Sequence, residues 1–323
     1  MSTTEHRHLG STGLSVPPVC VGTSALGSFP AQYGYDVDER TAIDTILAAL
    51  DSEFTFIDTS NEYGGGDSER RIGRAIAERG GLPSGALVAT KVDPLPRTTD
   101  FSGARVRRSV DESIERLGLD TLPLVYLHDP EKISFDEATG PGGAVEAMLD
   151  LRAQGVIEHL GVAGGPIELE LAYLRTGFFD VVLSHNRWTL VDSSADELID
   201  ECAARGVGFV NAAPFGGGML ARGPAAVPTY CYAPAAPDVL GRVEAIESLC
   251  RDHDVPLAAA ALQFSTRDAR VASTIVGMSR PDRPEQTRQL LGVSVPDELW
   301  AALDPLIKPG RAGIQTGSSS REV

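Results

Sequence analysis

The stretch Phe54-Thr55-Phe56-Ile57-Asp58-Thr59-Ser60-Asn61-Glu62-Tyr63-Gly64, with Leu87-Val88-Ala89-Thr90-Lys91-Val92 after it, decides the architecture of this chain. Each part contains a short apolar run of strand character. Between them, residues 68–79 read as a helix with Ser68 in the N-cap position. Strand, helix, strand in that order forces the two strands to run parallel, because the helix must carry the chain back across the sheet.

Working outward, the same unit recurs. Strands are expected at 19–22, 54–59, 87–92, 122–128, 159–163, 180–185, 208–212 and 272–277. They alternate with helices at 39–51, 68–79, 104–117, 143–153, 168–175, 195–205 and 239–252 and a last one starting near Pro284. Gly118, Gly155, Gly177 and Gly206 stand where four of the helices should stop. Eight strand–helix units predict an α/β fold of the closed (β/α)8 TIM-barrel type, whose active site lies at the C-terminal ends of the strands. A doubly wound open sheet is the competing architecture, but no GxGxxG follows the first strand. Residues 1–309 are expected to form a single barrel domain and 310–323 a loosely ordered tail. Residues 9–16 read as an N-terminal β-hairpin plugging the opposite end. Long loops at 93–103, 129–142 and 214–238 fall at the catalytic face, where such loops set specificity or act as lids.

The chain has 323 residues, a size suited to such a barrel with insertions. Hydrophobic content of 42% and charged content of 23% describe a globular protein with ample core. The net charge of −17 disfavours nucleic acid or an anionic membrane as partner. Cys20, Cys202, Cys231 and Cys250 are scattered, with no CxxC, and are expected to be free and not disulfide-bonded or bound to zinc. With a polar N-terminus and no run of about 20 apolar residues, the expected location is the cytoplasm. The expected state is a monomer or small homo-oligomer.

Four polar residues follow from the strand ends: Asp58, Lys91 and His128 at the ends of consecutive strands, and Tyr63 five residues past the aspartate. In a barrel they arrive at one rim. A phenol near pKa 10 exchanges protons poorly at neutral pH. A neighbouring ammonium is expected to lower that value, with an aspartate holding the ammonium in place. The tyrosine could then give a proton to a carbonyl oxygen or take one from a hydroxyl, with His128 orienting the same oxygen. The set contains no nucleophile and no metal cage, so a hydride carrier, a nicotinamide cofactor, is implied.

The segments Phe56-Ile57-Asp58-Thr59-Ser60-Asn61-Glu62-Tyr63-Gly64, Ala89-Thr90-Lys91-Val92 and Tyr126-Leu127-His128 resemble the aldo-keto reductase signature, and the resemblance extends over nearly the whole chain. It implies NAD(P) bound along the rim, Tyr63 as general acid/base tuned by Asp58 and Lys91, and His128 as substrate-positioning group. Further segments, 125–131, 185–190, 211–216 and 258–264, resemble the aldose 1-dehydrogenase branch, which includes L-fucose, D-threo-aldose and L-galactose dehydrogenases and pyridoxal 4-dehydrogenase. That implies oxidation of the C1 hemiacetal of an aldose to a lactone. Pyridoxal oxidation and NADPH-dependent aldehyde or ketone reduction are alternatives, and a non-catalytic cofactor-sensing subunit is a remote one.

By the same resemblance, Gly22, Thr23 and Asp58 lie at the nicotinamide ribose, and His185 or Asn186 stands near the carboxamide. Ala213, Phe215, Gly216, Gly218 and Leu220 belong to a pyrophosphate-clasping loop, and Gly277, Ser279, Arg283, Gln286 and Thr287 to the adenosine-binding turn. Gly277 and Met278 stand where NADPH-using relatives carry a lysine and a hydroxyl residue, which favours NAD, while Ser279, Arg280 and Arg283 could still hold a 2′-phosphate. The family's Ser-Asn carboxamide pair corresponds to Ala163-Gly164, and its stacking tyrosine to Ala212. Substrate-binding candidates are Tyr63, His128, Asp129, Trp188 and Tyr230, with Tyr33 and Tyr232 also on or near rim loops.

Overall fold

The structure, a computed structural model, describes residues 5–307 apart from Phe29, Pro96, Tyr232 and the side chains of Ala31 and Gln32. The expected tail and Tyr232 therefore lie outside the described residues. Eight parallel strands form a closed barrel: β1 (Val19–Gly22), β2 (Phe56–Asp58), β3 (Leu87–Val92), β4 (Leu122–His128), β5 (Ile157–Gly164), β6 (Val181–His185), β7 (Gly208–Ala212) and β8 (Ser273–Gly277). Each pairs with its sequence neighbours, and β8 closes the ring by pairing with both β7 and β1. Around them run α1 (Glu39–Leu50), α2 (Asp67–Arg79), α3 (Gly103–Leu117), α4 (Ala144–Ala153), α5 (Ile167–Arg175), α6 (Asp196–Arg205), α7 (Pro237–Asp252), α8 (Leu257–Thr266) and α9 (Arg283–Gly292).

The two-residue period of the strands sorts side chains into two environments. On β3, Leu87 and Ala89 pack inside the barrel, and Val88 and Val92 pack outward against the helices. Lys91 is in phase with the inner set, as are Asp58 after Phe56 on β2 and His128 after Leu124 and Tyr126 on β4. The interior below them is apolar and filled, with the Tyr126 ring lying against Gly161. A β-carbon on Gly161 would stand 2.3 Å from that ring. The N-terminal hairpin (Arg7–His8 with Ser15–Val16) adds Leu9 and Val16 to this inner cluster, and the Ser11 N–H bonds the Gly206 carbonyl just before β7. It thus closes the N-terminal end.

Three features differ from the sequence reading. Ser68 is not a cap: α2 starts after Gly66, and the Ser68 hydroxyl is buried against the Thr59 and Thr23 hydroxyls. α8 was not among the expected helices, and neither was Asp297–Leu303. Leu257, Ala259, Ala260 and Ala261 are all buried, so α8 shows no polar stripe to mark its period. The long connections carry structure of their own. Residues 129–142 include a short helix, Phe135–Thr139, and 214–238 include the turn Gly216–Gly218, a helical turn Met219–Arg222 and a hairpin joining Thr229–Tyr230 to Ala233–Pro234.

Candidate active site

Asp58, the last residue of β2, pairs in register with Gly22 on one side and Ala89 on the other. Lys91 of β3 reaches across to it, with Nζ 2.7 Å from Asp58 Oδ2 and 2.7 Å from the Thr59 carbonyl. The third Nζ contact, at 3.3 Å, is the Tyr63 hydroxyl. All three ammonium donors are therefore committed, and the ion pair is buried, its side chains 2% and 5% exposed. Tyr63 arrives on the tight segment that links β2 to α2. That segment abuts the turn Ser24–Gly27 so closely that a β-carbon on Gly64, at φ +64, would fall 1.9 Å from the Gly27 carbonyl oxygen. Only glycine fits there.

Electrostatically, the phenol is held neutral. Burial pushes the Tyr63 pKa well above 10, and the Asp58 carboxylate adds to the rise. The net direction is opposite to that expected from Lys91 alone, because desolvation of a phenolate at this depth outweighs the ammonium. Asp58 is itself shifted up by burial, against the pull of Lys91.

His128, at the end of β4, stands with its ring 5.8 Å from the Tyr63 ring and nearly perpendicular to it, at 79°. Its Nδ1 is 2.6 Å from Asp93 Oδ1. Asp93 Oδ2 in turn receives the Ser60 hydroxyl and, at 3.0 Å, the Glu62 N–H. On the other side, His128 Nε2 lies 3.7 Å from Asp129 Oδ1. Burial pulls the imidazole pKa down, but Asp129 and Asp93 outweigh it, and the net shift is upward. Asp129 is held near 2: burial opposes ionisation, but His128, Lys132 and His185 prevail. Asp93 was not singled out from the sequence. Its only signal is its place two residues past Lys91, in phase with it.

Beneath the Tyr63 segment lies a further set that the sequence did not reveal. Arg105 of α3, buried, donates to the Asp93 carbonyl at 2.9 Å and to Asn61 Oδ1 at 2.9 Å, and pairs with Glu112. Arg116 donates to the Asn61 carbonyl and to buried Glu69. α3 thereby fixes both the segment carrying Tyr63 and the residue holding His128.

The nearby rim residues differ in what they offer. β6 pairs Ser184 with Asn211 and His185 with Ala212. Val181 and Leu183 pack inside, so His185 faces the interior, and burial lowers its pKa. Asn186 follows at φ +62, with Nδ2 3.1 Å from His185 Nδ1. Asp129, Glu131 and His185 bring polar atoms within 4.8 Å of one another, but Lys132 sits 3.3 Å from Asp129 and Asn186 occupies His185 Nδ1.

Two buried acceptors at this rim, Asp58 Oδ1 and Asn186 Oδ1, have no hydrogen-bond partner among the described residues. An orphaned buried acceptor is costly unless a ligand donor completes it. A ribose hydroxyl and a carboxamide N–H are donors of the required kind, so the rim fits a nicotinamide nucleotide.

The other expected cofactor residues divide. Gly22 ends β1, and Gly277 ends β8 with open space around it. Thr23 is fully buried and gives its hydroxyl to the Asp58 carbonyl. Gly216, Gly218 and Leu220 turn their N–H groups inward to the carbonyls of Ala213 and Phe215, so the loop holds its own shape with those amides engaged. Beyond β8, Ser279 is half-buried, Arg283 donates to Gln286 at 2.9 Å, and Thr287 is buried. Of the substrate candidates, Asp129 adjoins Tyr63 and His128, and Tyr33 donates to Ser24 Oγ in the turn beside Gly64. Trp188 and Tyr230 are not brought to them. Trp188 packs on Phe264 beneath Arg270, and Tyr230 bonds Thr189 and fills the space over Gly216.

The comparisons with known proteins agree with the barrel fold. The aldo/keto reductase family model matches residues 18–308. The chain is 33% identical to a D-threo-aldose 1-dehydrogenase of Pseudomonas sp, over 94% of this chain and 97% of that one. It is 31% identical to L-galactose dehydrogenase of Arabidopsis thaliana, covering 96% of each, and 29% identical to pyridoxal 4-dehydrogenase of Microbacterium luteolum, covering 94% and 97%. Among solved structures, an aldo-keto reductase of Bacillus halodurans superposes with a TM-score of 0.75 at 22% identity, over 95% of this chain and 97% of that one, a likeness of fold. No helix among the described residues is long and apolar enough to cross a membrane. The chain belongs to the aldo/keto reductase family and is an NAD(P)-dependent oxidoreductase.

Proposed function

We propose that this enzyme oxidises the C1 hemiacetal of an aldose to its lactone, with Tyr63 as the acid/base. The observation that carries the reading is the Tyr63 hydroxyl 3.3 Å from Lys91, itself locked by Asp58 at 2.7 Å. The aldose dehydrogenases among its relatives supply the substrate class. A bound nicotinamide supplies the hydride acceptor, or the donor in reverse. The chain's residues do the rest. Tyr63 exchanges the proton at the C1 oxygen, Lys91 and Asp58 fix its hydroxyl, and His128 Nε2 orients that oxygen. Asp129, ionised beside them, accepts a hydroxyl of the substrate. Asp58 Oδ1 would hold the ribose and His185 with Asn186 the carboxamide. Gly22, Ala213, Phe215, Gly216, Gly218 and Leu220 would shape the nucleotide's path, and Gly277, Ser279, Arg283 and Gln286 its adenosine end. Thr23 and Thr287, both buried, would support and not touch it.

The neutral phenol favours a second reading, carbonyl reduction, because a phenol is the proton donor that direction needs. Tyr63→Phe decides the shared machinery: kcat should fall about 10²- to 10⁴-fold while nucleotide binding, followed by fluorescence, stays within a few-fold. Undiminished turnover would overturn it. A panel of L-fucose, D-arabinose, L-galactose, pyridoxal and simple aldehydes, read in both directions with NAD(H) and NADP(H), separates the substrate readings. NAD is the expected cofactor, and a strong NADP preference in kcat/KM would reverse that.

A further inference from the structure

Asp93 lies outside the set of Asp58, Tyr63, Lys91 and His128, yet it is the residue His128 touches most closely, at 2.6 Å from Nδ1. A neutral imidazole has one N–H and one lone pair, and the partner of one nitrogen decides what the other offers. An ionised carboxylate only accepts, and Asp93 lies on the ionised side of the ordinary range: burial opposes the charge, but His128 and Ser60 outweigh it. We propose that Asp93 is a positioning residue for His128: by accepting the Nδ1–H it fixes the ring plane and reserves Nε2 for the substrate oxygen. The inference rests on the reading of the site given above.

The surroundings make this specific to a carboxylate. Asp93 Oδ2 is bound by two donors, the Ser60 hydroxyl and the Glu62 N–H at 3.0 Å. Arg105 holds the Asp93 backbone through its carbonyl at 2.9 Å. Asparagine in this place must therefore turn its oxygen toward Ser60 and Glu62, leaving its NH2 facing Nδ1. His128 would have to present a lone pair at Nδ1 and carry its proton on Nε2, the wrong tautomer. Other charged or titratable groups around the ring are Asp129 from its own loop, Lys91 from β3, Asp58 and Tyr63 from β2 and the segment after it, and His185 from β6. Of these, only Asp129 has a distance to the ring nitrogens within 4 Å, 3.7 Å from Nε2.

The test is 15N NMR of His128 in the full chain saturated with NAD(P)+, with kinetics on the same samples. In the wild type, Nδ1 should carry the proton in the neutral ring. In Asp93→Asn the proton should move to Nε2, and kcat should fall on the order of 10²-fold with KM changed less. Ser60→Ala removes the hydroxyl that also lies 3.1 Å from His128 Nδ1 but keeps the carboxylate, so it should keep the wild-type tautomer. A neutral wild-type His128 ring, read at a pH above its raised pKa, that carries its proton on Nε2, or an Asp93→Asn enzyme with unchanged tautomer and unchanged kcat, would overturn the proposal. The wild-type spectrum decides even if the asparagine variant fails to fold. Failure of the acid/base reading would show separately, as undiminished turnover in Tyr63→Phe, with the tautomer readout intact.

Discussion

At the scale of single residues, Lys91 is the most constrained group in the site, because its three donors serve Asp58, the Thr59 carbonyl and Tyr63. Lys91→Met leaves the Asp58 carboxylate buried without its counter-charge. Breaking one side of such a pair costs about 3–5 kcal/mol. Asp58 is already shifted upward by burial and would shift further without Lys91. A carboxyl with a raised folded pKa gives its stability at low pH and loses it as pH rises through that value. The deficit of Lys91→Met relative to wild type should therefore be larger at pH 8 than at pH 5, as measured by urea unfolding. An equal deficit at both would mean that Asp58 stays ionised throughout. The raised Tyr63 pKa carries a kinetic counterpart: lactone formation needs the phenolate and should quicken as pH rises, whereas carbonyl reduction should not.

At the scale of elements, the segment from Ser60 to Gly66 is held from both sides. α3 grips it through Arg105 and Arg116, and the turn Ser24–Gly27 presses on Gly64. Gly64→Ala adds a β-carbon at 1.9 Å from a backbone oxygen and at φ +64, so one of the two backbones must move. A destabilisation of about 1–3 kcal/mol is expected. Because Tyr63 is the adjacent residue, kcat should fall with it while nucleotide affinity changes little. Chemical denaturation and steady-state kinetics on the same preparation check both. The motif Tyr63-Gly64 was visible in the sequence, but the facing Gly27 backbone was not. Contacts between segments far apart in the chain leave no local pattern.

At the scale of the whole molecule, the barrel's outer layer holds a further buried carboxyl. Glu170 of α5 is fully buried, and burial pushes it up to about 8, with Glu131 adding to the rise. Its folded pKa lies above the unfolded value, so its contribution is complete below about 4.5 and is lost as pH rises toward 8. Glu170→Gln should remove that slope. The variant should come close to the wild type near pH 5 and be the more stable of the two, by on the order of 4 kcal/mol, near pH 8.5 in urea unfolding. A wild-type stability flat between those two values would argue against a neutral Glu170.

Sequence alone determined the repeating strand–helix unit, and with it the closed barrel and the rim to which Asp58, Tyr63, Lys91 and His128 are delivered. These follow from local periodicity and from the rule that a returning helix makes strands parallel. Only the tertiary structure decided that Trp188 and Tyr230 pack away from those four, that Asp93 and α3 hold the site from behind, and that Tyr63 rests as a neutral phenol. Each of these depends on burial and on partners distant in sequence: desolvation sets the phenol's pKa, and strand register sets which side chain faces in.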